Sequence, residues 1–147
     1  MSEACAAIAE RLDPDLHRAA MFAPPGLRPR LMVLIAFDVE LSRAGRASEK
    51  MIAAMRLQWW RDVVAEAFAG ESRAHEVAGP LAALIQECNL PAAPFEALIS
   101  TREAELQSPF SASDFEAWLA GRATPLLALG AQCAGAPHPG AVEAVGR

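Results

Sequence analysis

The segment LRPRLMVLIAFDVELSRAGR, Leu27 to Arg46, carries a proline near its start, an unbroken apolar run from Leu31 to Phe37, and a polar end. Proline is tolerated in the first turn of a helix, where its missing N–H has no partner to lose. A helix that is apolar all round is buried on every side. The segment therefore reads as a central helix from near Pro29 to about Gly45. Its far end holds Asp38, Glu40, Ser42, Arg43 and Arg46. Three readings stand open for that end: an active-site floor, a floor that has lost its chemistry, or a solvated helix terminus.

Upstream, Asp13 before Pro14 is an N-cap followed by a first-turn proline, and Pro24-Pro25-Gly26 stops the short helix they open. Downstream, Ser48 is expected to cap a helix in which Ile52, Met55, Trp59 and Val63 recur at spacings of three and four. Leu57, Trp60, Val64 and Phe68 widen that stripe, and Gly70 ends it. PLAALIQECN (from Pro80) and PFEALISTREAELQ (from Pro94) read as two amphipathic helices separated by a turn from Asn89 to Pro94. Ser113 and Glu116 have capping-box spacing and open a last helix through Trp118 and Leu119. Pro125 predicts a kink or break of that helix near Gly121 to Thr124, and Gly135 and Pro137 end it. No strand alternation and no internal repeat is visible. The fold class is all-α, in one domain spanning residues 1–147.

Hydrophobic residues at 53% against 21% charged ones rule out a disordered chain. The net charge of −5, with Lys50 the sole lysine, excludes a broad grip on nucleic acid, which needs clustered cations. Cys5, Cys88 and Cys133 are far apart with no CxxC pair, so neither a disulfide framework nor a thiolate metal site is indicated, and a reducing cytoplasm is the simplest compartment. The amino terminus, with Glu3, Glu10 and Arg11 among alanines, has no signal-peptide pattern. The Leu31–Phe37 run falls short of the roughly 20 residues that span a bilayer. Peripheral membrane contact stays open.

His17, His75 and His138 have no ligand spacing, and there is no GxSxG elbow, P-loop or dinucleotide fingerprint. RLQWWRD, Arg56 to Asp62, is the most unusual word. Adjacent tryptophans on a helix point about 100° apart, so each needs a large partner surface. Core packing is the first reading; an interface built on Trp59, Trp60 and Arg61 is the second. Arg61 and Asp62 would sit at the rim, where the arginine lies over an indole face or reaches a neighbouring helix's carboxylate. Arg102 and Glu105 are spaced as a helix-surface pair, and Asp62 and Glu66 are like charges one turn apart.

Together DPDLHRAAMFAP, LRPRLMVLIAFDVELSR, MRLQWWRD, PFEALISTREAEL and DFEAWLAGRATPLLAL resemble the squalene/phytoene synthase family across nearly the whole chain. AFDVEL followed by RLQWWRD is most similar to a divergent branch that includes the mitochondrial complex I assembly factor. The resemblance implies an isoprenoid-synthase-like helical bundle, of which this chain supplies the amino-terminal half. In the family's enzymes an Asp-rich motif on this helix holds magnesium with two carboxylates four residues apart, on one helix face, to bind substrate diphosphates. Alignment on Phe37 puts those positions at Ser42 and Arg46, so neither carboxylate is present. Glu40 points about 200° around the helix from Asp38 and does not rebuild the pair. Arg43 and Arg46 read first as exposed arginines favourably placed near a helix C-terminus and second as forked donors able to hold an anion without metal. Asp15-Leu16-His17-Arg18 replaces the family's Ser-Phe-Tyr stretch, and the second Asp-rich helix lies beyond Arg147.

The expectation is a family member with no catalytic residues, no cofactor and no metal, acting through a protein partner or an isoprenoid or lipid ligand, with respiratory complex I assembly implied by the branch. The alternative is a magnesium-dependent prenyltransferase joining prenyl diphosphates head to head. If the chain ends at Arg147, the apolar faces around Leu31 and Trp59 lack cover and a homodimer is expected.

Overall fold

The computed structural model describes residues 3–107 and 111–135, and these contain seven α-helices and no strand. They are α1 (Glu3–Leu12), α2 (Pro14–Ala20), α3 (Arg28–Gly45), α4 (Lys50–Phe68), α5 (Ala78–Cys88), α6 (Ala93–Glu105) and α7 (Ala112–Cys133). The described residues form an all-α bundle, as expected. As its apolar circumference requires, α3 is the central helix, and each of the other six packs against it. Every residue from Met32 to Val39 is buried. None of the described helices is long and apolar enough to cross a membrane.

The core is built on aromatic contacts along α3. Phe37 has no exposed surface and meets Trp60 of α4 edge-on at 5.6 Å and Phe95 of α6 at 5.7 Å. These centroid distances and near-perpendicular planes are the favoured arrangement for aromatic quadrupoles. Leu34, Leu41, Leu57, Leu81, Leu98 and Ile99 fill the space around them.

Helix ends follow local chemistry, with four differences from the sequence expectation. Asp13 caps α2 as expected, its Oδ1 accepting from the Leu16 N–H at 3.2 Å. First, α1 precedes it and was not legible as a helix: its buried stripe, Cys5, Ile8 and Ala9, is made of small or few residues among alanines. Second, α4 starts at Lys50 rather than after Ser48, because the first turn closes on the Glu49 carbonyl, which accepts from the Ala53 N–H at 3.0 Å. Third, the capping box of α7 is Ser111 with Asp114, not Ser113 with Glu116. Ser111 Oγ accepts from the Asp114 N–H at 3.2 Å, and Asp114 Oδ2 accepts from the Ser111 N–H at 2.8 Å. The Ser111 hydroxyl, donating to Asp114 Oδ2 at 2.7 Å, and then the Ser111 N–H hold the Asp114 carboxyl below the usual carboxylate range. Asparagine at position 89 adopts φ 49°, a left-handed conformation this side chain tolerates, and ends α5.

Fourth, α7 does not break at Pro125; it runs without interruption through Gly121 to Thr124. Proline deletes one hydrogen bond of the ladder and crowds the carbonyl four residues back, here that of Gly121. Packing on both sides holds the flanking turns: Leu129 and Cys133 are buried, and Gly121 lies hard against Thr101 of α6. Gly135 follows the Ala134 cap with φ 81°, whereas Pro137 lies outside the described residues.

At Gly121 an added Cβ would stand 2.1 Å from Thr101 Oγ1 and 3.2 Å from Thr101 Cβ. Glycine to alanine in an open helix gains about 1 kcal/mol, whereas overpacking costs about 1–3 kcal/mol. Gly121→Ala is therefore expected to lower stability by about 1 kcal/mol, read as a lower urea midpoint. Adding Thr101→Ala, which removes the nearest atom, should recover part of that loss. A midpoint raised by Gly121→Ala alone would contradict the close approach.

Candidate functional site

Asp38 projects from the buried half of α3, where a carboxylate must find a cation or lose its charge. It finds two. Arg102 of α6 places Nη2 3.4 Å from Asp38 Oδ1, and Arg122 of α7 places Nη2 4.0 Å from Asp38 Oδ2. Glu105 closes the other side: its Oε1 lies 3.2 Å from Arg102 Nη1 and 3.6 Å from Arg122 Nη1, and accepts from Trp118 Nε1 at 2.5 Å. The Arg122 guanidinium also lies over the Trp118 ring, 5.5 Å from its centroid. Two acids and two arginines thus alternate around a closed, locally neutral ring joining α3, α6 and α7.

Arg102 is the surprise in this ring. The sequence marked it as half of a solvated surface pair with Glu105, but its side chain is 3% exposed. The pairing is right and the burial is not, because α7 folds over this face of α6 and α3 closes it from the other side. Neither Arg102, Glu105, Arg122 nor Trp118 was singled out as a site residue. The signal was Asp38 itself: an acid beside Phe37 on an otherwise apolar helix requires a buried cation elsewhere in the chain.

Ser42, one turn beyond Asp38, is half-buried, and Arg46 is exposed as the C-cap residue of α3. The magnesium that the family resemblance implies does not fit this helix. Asp38 already has its charge matched by two guanidiniums, the next turn offers a hydroxyl, and the following one a cation. Among the described residues no group of three or more His, Cys, Asp or Glu side chains is placed to hold a metal ion.

Arg43 bonds Glu40 Oε1 at 3.1 Å and, with Glu40, Ala44, Arg56, Trp59 and Trp60, lines an open groove of about 330 Å³. Arg46 does not line that groove. The tryptophans diverge as helix geometry demands. Trp60 is buried against Phe37, whereas Trp59 is half-buried, with the Arg73 guanidinium 5.3 Å from its ring centroid. His75 meets both rings edge-on at 5.4 Å, and its Nδ1 accepts from the Val77 and Ala78 N–H groups at the start of α5.

Arg61 reaches α6, donating to Glu96 Oε1 at 2.9 Å and to Glu103. The hydrogen bond with Arg61 holds the Glu96 carboxyl below the usual range, and those with Glu103 and Glu96 raise the Arg61 guanidinium further. Asp62 and Glu66 are relieved of mutual repulsion by separate partners, Gln58 and Arg73.

A further surface was invisible in the sequence. On α7, Phe115, Leu119, Ala123 and Leu127 recur every fourth residue and are all exposed, the three large ones at 54%, 48% and 53%. Only Leu129 and Cys133 of this 22-residue helix are buried.

The squalene/phytoene synthase family model matches residues 9–146. A curated relative from Drosophila melanogaster, NADH dehydrogenase (ubiquinone) complex I, assembly factor 6 homolog, is 34% identical over 71 residues, 47% of this chain. The matched stretch covers 21% of that relative, about a fifth of its length. No solved structure matches the chain. With its helical bundle and a match running almost from end to end, this chain belongs to the squalene/phytoene synthase family.

Proposed function

We propose that this protein acts by binding rather than by prenyl transfer, as a cytoplasmic factor working at the membrane surface in assembly of respiratory complex I. The observation that carries the reading is the state of Asp38, enclosed by Arg102 and Arg122 one turn from a serine and two turns from an arginine at the family's acid positions. A cation bound there would have to displace two arginines and would meet a third. The direction of the function, toward assembly, rests on the name of the Drosophila relative.

A partner protein is the occupant this reading assigns to the exposed Phe115, Leu119 and Leu127 stripe, since contiguous apolar surface marks interaction sites. Trp59 and Arg61 border a second face, with Trp60 behind them in the core.

In cells lacking the gene, complex I resolved on native gels should fall severalfold, with other respiratory complexes retained, and the wild-type chain should restore it. Leu119→Asp, at an exposed position, should leave folding intact by circular dichroism and fail to restore. Full complex I without the gene would end the proposal, and full rescue by Leu119→Asp would remove the stripe from it.

The groove beside Arg43 favours a second reading, capture of an anionic isoprenoid without metal, with Arg43 as the donor to its diphosphate. Binding of farnesyl diphosphate that survives EDTA and weakens about tenfold in Arg43→Ala supports it; no binding removes it.

A further inference from the structure

Exposed clusters of large apolar side chains differ in their charged surroundings. Around Leu12, Leu16, Met21 and Phe22, the acids Glu10, Asp13 and Asp15 outnumber Arg11 and Arg18. Along α7, Asp114 and Glu116 outnumber Arg122 beside Phe115, Leu119 and Leu127. At the start of α4 the balance reverses. Met51, Ile52 and Met55 are 75%, 38% and 66% exposed, and Arg43, Arg46, Lys50 and Arg56 outnumber Glu40 and Glu49. This local positive excess stands in a chain of net charge −5.

Helix spacing sorts these groups. Met51, Met55 and Trp59 follow one another at four-residue intervals, whereas Ala53, Leu57 and Trp60 are buried in the core. Ile52 and Arg56 form the adjoining row. Arg46 and Lys50 flank the turn between α3 and α4, and all four cations are exposed. Arg43 and Arg56, from the two helices, line one groove with Trp59. Glu40 has its charge matched by Arg43 at 3.1 Å. Among the described residues Arg46, Lys50 and Arg56 enter no ion pair, so their charge is available to a partner.

We propose that the first two turns of α4, with the adjoining end of α3, dock the protein on a membrane surface bearing anionic phospholipids. This docking deepens the reading of a factor working at the membrane surface and rests on it. Apolar side chains at such a surface leave water for the boundary between headgroups and acyl chains, and cations beside them are attracted by the lipid phosphates. Methionine, unbranched and flexible, adapts to an irregular apolar surrounding. The stems of Lys50 and Arg56 lie along apolar surface while their charged ends stay at headgroup level. The acid-bordered stripe of α7 lacks this charge complementarity and suits a protein instead.

The test is co-sedimentation of the full chain with vesicles of phosphatidylcholine alone and of phosphatidylcholine with an equal share of phosphatidylglycerol. Binding to the anionic vesicles, severalfold above the neutral ones and falling as salt rises, is the expected result. Lys50→Glu/Arg56→Glu should weaken it by more than about tenfold, since each basic residue near an anionic surface is worth about fivefold in binding. Met51→Gln/Met55→Gln should weaken it by about tenfold, through loss of buried apolar surface. Leu119→Asp, on α7, should bind as the wild type does. All these positions are exposed, and circular dichroism should show each variant folded. Absence of binding, equal binding to both kinds of vesicle, or unchanged binding in either double variant would overturn the proposal. A dimer that Met51→Gln/Met55→Gln dissociates, with no vesicle binding, would also overturn it and assign the face to a second copy of the chain. Vesicles contain no complex I, so these outcomes are distinct from failure of the assembly reading, which native gels test.

Discussion

Replacing Arg102 with methionine is expected to lower the unfolding free energy by about 3 kcal/mol. Breaking a buried ion pair by removing one partner costs about 3–5 kcal/mol, because the remaining charge is left uncompensated. The lower end applies here, since Arg122 stays 4.0 Å from Asp38 and is itself 34% exposed. Urea unfolding followed by circular dichroism measures the change. The companion variant Asp38→Leu/Arg102→Met removes both charges and should be more stable than Arg102→Met alone, because exchanging a whole buried pair for apolar groups is often near neutral. Glu105, Arg122 and Trp118 remain partnered with one another in that variant. Additive losses in the two single variants would contradict the pairing.

Phe37→Ala is expected to cost a similar or larger amount, about 3–5 kcal/mol, the range for truncating a fully buried aromatic. Phe37 has no exposed surface and joins α3 to both α4 and α6 through its ring contacts. In a chain of this size the loss corresponds to a fall in Tm of on the order of 10 °C, read by a thermal melt. Phe22, 91% exposed after α2, is the internal control. Its replacement by alanine should change stability by less than about 0.5 kcal/mol. Equal effects at positions 22 and 37 would overturn the assignment of the core.

Much of the fold was legible because its signals are local. The all-round apolar run of α3 and the Asp13-Pro14 start of α2 each declare burial or a boundary within a few residues, whereas the α4 stripe is only half right: Leu57, Trp60, Val63 and Val64 are buried, but Ile52, Met55 and Phe68 are exposed. Where two local signals compete, the sequence misleads. Ser111 and Ser113 both have an acid three residues on, and Ser48 and Glu49 both precede α4, so only the backbone hydrogen bonds distinguish them. Pro125 signals a break that packing at Gly121 and Leu129 overrides.

The site was less legible, for a different reason. Ser42 and Arg46 are visible as departures from a family pattern, and Trp60 as a residue needing a large partner. The ring around Asp38, however, is assembled from three helices across 84 positions of chain, and no spacing rule connects Asp38 to Arg102 or Arg122. Arg102 and Glu105 looked solvated because the i, i+3 pattern records a helical neighbour and carries no information on what covers it. Desolvation of a lone acid is the physical argument that points across that distance.

On the proposed reading, helix α3 does not support metal-dependent prenyl transfer, because Ser42 and Arg46 stand at the family's acid positions. The most direct test is incubation of the full-length protein with magnesium and radiolabelled farnesyl or geranylgeranyl diphosphate, followed by extraction of hydrocarbons. No product above a protein-free control is expected at any magnesium concentration. Formation of a C30 or C40 hydrocarbon that depends on magnesium and on the protein would contradict it.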